Sequence, residues 1–68
     1  MSVAKVVEVT STSSKNFEDA IQAGIKRASK TIDNIQGAWV NELKVDVNKS
    51  GKVSAYRVNL KISFVLKG

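Results

Sequence analysis

The chain has 68 residues, which is enough for one domain, 1–68, and for a small core. A chain of this size buries only about 60% of the surface it exposes when unfolded, so the core by itself is marginal and needs support from elsewhere. With no Cys and no His, disulfides, thiolate sites and ordinary zinc sites are excluded, and self-association is the remaining way to gain stability. Eleven Lys and Arg against six Asp and Glu give a net charge of +5, which raises nucleic acid as a partner. The basic residues are dispersed, however. The densest group, Lys26, Arg27 and Lys30, has no interleaved aromatics and reads as a solvated helix face. Met1-Ser2-Val3-Ala4-Lys5 contains no long apolar run, so the expectation is a cytoplasmic protein with no membrane segment.

In chain order, Val3 to Thr10 predicts a first strand, with Val3, Val6, Val7 and Val9 β-branched. The hydroxyl tract from Thr10 to Ser14 predicts a turn, because Ser and Thr side chains compete with regular ladders for backbone hydrogen bonds. Asn16 is the expected N-cap of a helix over Phe17 to Thr31, with Asp19 placed to reach back to the cap; Asp is shorter than the usual Glu, which leaves Ser14 as the alternative cap. Phe17, Ile21, Ile25, Ala28 and Ile32 form its apolar stripe, with Ala20 and Gly24 alongside. A glycine at 24 implies a close approach of helix to sheet.

Asp33 to Ala38 reads as a connection, and Trp39 to Val47 as a second strand. Strict alternation puts Trp39, Asn41, Leu43, Val45 and Val47 on one side, and Val40, Glu42, Lys44 and Asp46 on the other. Asn48-Lys49-Ser50-Gly51 is the expected hairpin turn. The last strand, Tyr56 to Leu66, has apolar residues at every even position and polar ones at 57, 59, 61 and 63. That period of two marks a half-buried strand.

The resulting βαββ order predicts an α+β fold. The hairpin makes the second and third strands antiparallel neighbours, and a helical crossover makes the first and second parallel to one another. With the first strand beside the third, the order is 1-3-2 and a single helix covers one face. The other face carries Arg57, Asn59, Lys61 and Ser63 with Glu42 and Lys44.

Catalysis finds little support. His and Cys are absent, the acids are scattered, and the glycines stand singly with no phosphate loop, so a binding module is expected and not an enzyme. Trp39 can stack on a flat aromatic ligand, or it can close the core or an interface with Leu43 and Val45. Arg57 can fork onto a carbonyl edge or a phosphate, or it can form an intersubunit ion pair with Glu42.

Taken together, Phe17-Glu18-Asp19-Ala20-Ile21, Ala28-Ser29-Lys30-Thr31 and Tyr56-Arg57-Val58-Asn59-Leu60-Lys61-Ile62-Ser63-Phe64 resemble the dodecins, with the resemblance running from about Val3 to Leu66. It implies a sheet wrapped on one helix and a hollow homododecamer. It also implies pairs of flavins, riboflavin or FMN, stacked between Trp side chains of neighbouring subunits, and storage in place of turnover. Two positions depart from the flavin pattern. Arg57 stands where flavin dodecins carry Gln, and a gap-free alignment through Glu42 and Lys44 puts the family Trp on Gly37. Trp39 then lies two residues on, a displacement of about 6 to 7 Å along a strand. The resemblance leans toward a subgroup without the flavin signature, one type of which is calcium-binding. Asp19, Asp33 and Asp46 are each too isolated to hold calcium alone, so symmetry copies would have to gather them.

Overall fold

A computed structural model of the chain describes residues 2–67, so Met1 and Gly68 lie outside it. The elements are β1 (Val3–Ser13), α1 (Phe17–Ala28), β2 (Ile35–Val47) and β3 (Val53–Leu66), and the sheet order is β1-β3-β2 with both neighbours antiparallel to β3. The expected fold and strand order are therefore observed.

The alternation in β3 translates directly into burial. Val58, Leu60 and Ile62 are fully buried, and Val7 and Val9 from β1 and Phe17, Ile21, Ile25 and Ile32 from the helix segment pack around them. The innermost line of α1 is made of small residues, Ala20, Gly24 and Ala28, which lets the helix sit low on the sheet. A Cβ at Gly24 would come within 3.0 Å of both Leu60 Cδ1 and Ser11 Cβ, which is the close approach expected of this glycine. Phe17 meets Tyr56 edge to face at a centroid distance of 5.2 Å, closing one end of the core.

Several local expectations are corrected. The hydroxyl tract is not a turn: β1 runs on to Ser13, paired with β3 as far as Ser13 opposite Tyr56. Ser13 is buried and its Oγ donates to Asp19 Oδ2 at 2.6 Å, so sheet pairing and a long-range hydrogen bond override the local preference. That bond also takes the Asp19 carboxylate away from the cap. The cap itself is Asn16, whose Oδ1 accepts from Asp19 N at 2.7 Å. The helix ends at Ala28, with Ser29 as C-cap and the backbone turning on through Thr31.

β2 starts at Ile35, well before Trp39. Asn34 takes φ 63°, a conformation Asn tolerates better than most residues, and its carbonyl accepts from Val65 N at 3.1 Å. The turn is therefore made at Asn34, and Ile35 to Ala38, expected as part of the connection, are already strand. At the other end of β2 the hairpin is as expected. Gly51 has φ 79°, and Asn48 Oδ1 accepts from Ser50 N and Lys52 N at 2.9 and 3.1 Å.

The helix packs on β1 and β3, and β2 projects beyond it. Val40, Leu43 and Val47 are consequently exposed. The Cα radius of gyration is 14.1 Å, against about 11 Å for a compact domain of this length. Among the described residues, no helix is long and apolar enough to cross a membrane, which leaves strand-built spans unaddressed.

Candidate functional site

The face of the sheet away from the helix is built from the odd positions of β3. Residues opposite each other in an antiparallel ladder point to the same side. Arg57 faces Thr12 and Lys44, Asn59 faces Thr10 and Glu42, Lys61 faces Glu8 and Trp39, and Ser63 faces Val6 and Gly37. All five residues singled out in the sequence, Gly37, Trp39, Glu42, Lys44 and Arg57, therefore lie on this one face.

Trp39 reaches the open face through a feature that strict alternation misses. Val40 pairs with Leu60 and Glu42 with Asn59, so Asn41 is an extra residue in β2, a β-bulge. The bulge reverses parity between Trp39 and Leu43. Trp39 consequently does not share a side with Leu43 and Val45, as alternation predicts. It stands opposite Lys61 with 62% of its surface exposed. The core-closing role for Trp39 is thereby removed within one chain.

Glu42, Lys44 and Arg57 line a cleft of about 330 Å³ together with Thr10, Asn59, Leu43 and Val58. Trp39 and Gly37 lie outside it, farther along the face. Lys61, which lies opposite Trp39, and Arg57 are four residues apart on β3, or roughly 13 Å. Within one chain Trp39 and Arg57 do not clamp the same small ring. Beside Trp39 the backbone of Gly37 is uncovered, since a Cβ there would meet only Ser63 Oγ, at 3.9 Å.

Arg57 is engaged by its own chain. Its Nη2 donates to Asp46 Oδ2 at 2.7 Å, across the hairpin. Within the chain, therefore, its ion-pair partner is Asp46. The hydrogen bond from Arg57 holds the Asp46 carboxyl below its ordinary value; desolvation opposes this, and the charges of Arg57 and Lys44 add to it. Among the described residues, the buried Arg57 Nε finds no hydrogen-bond partner.

Asn59, Asn41, Glu8 and Thr10 join this face through side-chain hydrogen bonds that sequence reasoning does not single out. Alternation alone places Asn59 on this face, but the interactions joining it to Asn41 and Glu8 come from residues distant in sequence. Among the described residues, no three His, Cys, Asp or Glu side chains come together in a single chain.

A family model described as Dodecin matches residues 3–67. The chain belongs to the dodecin family. Its resemblance extends to a calcium dodecin of Mycobacterium tuberculosis, 36% identical over 67 residues, which span 98% of this chain and 93% of the relative. A solved Thermus thermophilus dodecin variant superposes with a TM-score of 0.92 at 35% identity, covering 100% of both chains. The solved M. tuberculosis calcium dodecin, described as a calcium-chelating antigen with a novel calcium-binding site, gives a TM-score of 0.82 at 34% identity, covering 96% of this chain and 91% of that one. The dodecin fold thus accounts for the whole described sheet and helix.

Proposed function

We propose that this dodecin assembles into a homododecameric shell that sequesters a planar ligand of the flavin type, riboflavin or FMN, as a cytoplasmic store without catalysis. The observation that carries this reading is Trp39, a large aromatic exposed on a polar sheet face next to the bare backbone of Gly37. An exposed indole beside uncovered backbone is a stacking platform for an aromatic ring. Lys44 and Arg57 supply donors for a ring carbonyl or a phosphate, and Glu42 an acceptor for a ring N–H. Because Trp39 and the Arg57 cleft are too far apart to serve one ring in one chain, the second wall of the site comes from another copy.

Two quantities support assembly. The accessible surface is 5065 Å², against roughly 4,200 Å² for a compact monomer of this mass. Val40, Leu43 and Val47 are also left bare on β2, as apolar residues awaiting cover are. Titrating riboflavin or FMN with the protein and following flavin fluorescence tests the reading, which expects quenching at micromolar protein. Undiminished fluorescence at that concentration rejects it.

A second reading, a structural or calcium-binding oligomer, is favoured by the similarity to the M. tuberculosis calcium dodecin. It requires carboxylates gathered from several copies, and calorimetry with calcium alongside flavin separates the two. The basic residues Lys26, Arg27 and Lys30 are exposed on or just past the helix. Nucleic-acid binding through them would weaken steeply with salt, whereas the flavin reading expects no such binding.

A further inference from the structure

A bulge solves one problem and creates another. The extra residue in β2 puts Trp39 on the open face, but an inserted residue is unpaired and bends its strand. If the insertion moved by one position along the strand, the side chains it passed would turn to the opposite face. Something must hold it at Asn41.

The side chains around Asn59 do this. Asn41 Nδ2 donates to Asn59 Oδ1 at 3.0 Å. Asn59 Nδ2 in turn donates to Glu8 Oε2 at 3.0 Å and reaches Thr10 Oγ1 at 3.4 Å. The chain of bonds crosses all three strands and has a direction. An ionised Glu8 only accepts, so the NH₂ end of the Asn59 amide must face β1, which leaves its oxygen facing β2 for Asn41.

We propose that Glu8, Asn59 and Asn41 form a positioning relay that pins the β2 bulge and thereby aims Trp39 at the ligand. None of the three need touch the ligand. This inference rests on the reading of Trp39 as the stacking residue, but its structural half can be measured without any ligand, because Trp39 is the sole Trp.

The test compares Asn59→Ala, Asn41→Ala and Glu8→Gln with the wild type in the assembled protein, using the indole N–H resonance and the fluorescence anisotropy decay of Trp39. Asn16→Ala, which weakens the helix cap far from this face, is the control for general loosening. Asn59→Ala and Asn41→Ala are expected to shift or split the indole resonance and speed the anisotropy decay. Glu8→Gln, which no longer dictates the direction of the Asn59 amide, should give a mixture of two indole signals, and the control none of these changes. Riboflavin affinity should fall by roughly tenfold or more in the first two variants, as small misplacements of a positioned group do. Should Asn59→Ala fail to fold, Asn59→Ser serves in its place.

A single, unmoved indole resonance in folded Asn59 and Asn41 variants overturns the relay. If the wild type binds no riboflavin and the resonance still moves, the flavin reading falls and the relay stands. If the wild type and the variants bind riboflavin equally, the flavin reading stands and the relay falls.

Discussion

The two flanks of β3 are built to different standards. On the β1 side the ladder runs from Val3 opposite Leu66 to Ser13 opposite Tyr56 without a break. On the β2 side it is interrupted between Ile35 and Gly37, between Val40 and Glu42, and between Asp46 and Val47. The helix lies over β1 and β3 and leaves β2 largely uncovered. Where a helix covers the sheet, a slip of one residue would send a buried valine to solvent and a polar residue into the core, so regular register is enforced. Where no helix covers it, an extra residue is tolerated, and there the chain uses one to turn an aromatic toward the open face. The regular flank supplies stability and the irregular flank carries the candidate site.

Substitutions on the two flanks should therefore separate folding from binding. Leu60→Ala empties the centre of the covered side and should cost about 2–5 kcal/mol in thermal or denaturant unfolding, enough to unfold much of the protein. Gly24→Val drives a branched side chain into Leu60 and Ser11 and should cost about 1–3 kcal/mol in the same assay. A stability equal to the wild type would mean that the helix is not held against β1 and β3 as described. Removing the helix cap with Asn16→Ala should cost about 1 kcal/mol, seen as a modest fall in Tm. On the irregular flank, Trp39→Ala should change the stability of the isolated fold by no more than about 0.5 kcal/mol, because the ring is mostly exposed, yet it should abolish flavin quenching. Loss of the fold in that variant would erase the distinction between the two flanks.

The smallest effect expected is on pH dependence. The folded state holds the Asp46 carboxyl below its unfolded value, so the Arg57–Asp46 pair contributes its full stability above the unfolded value of about 3.9 and loses it as pH falls through the lower folded one. An NMR titration of the Asp46 carboxyl carbon should show a midpoint below that of an unfolded Asp. In Arg57→Gln the midpoint should move back up. A midpoint indifferent to Arg57 would show that the pair does not form in solution.

Much of this molecule is written locally. The alternation from Tyr56 to Leu66, the stripe of Phe17, Ile21, Ile25 and Ala28, the Asn16 cap and the Gly51 turn each depend on residues within one turn or one strand, and each appears where the sequence places it. What failed to show in the sequence depends on pairing. Thr10 to Ser13 favour a turn by themselves and become strand because Asn59 to Tyr56 lie opposite them. Asp46 and Arg57 sit on separate strands and meet only when the hairpin closes. Above all, the side on which Trp39 stands follows from Asn41 being extra relative to β3, and a bulge is a property of two strands aligned together. Periodicity reports which way a side chain points only while the ladder is regular. The sequence by itself determined the core and its helix, because burial patterns are local; the tertiary structure decided the composition of the open face, because register is settled between strands.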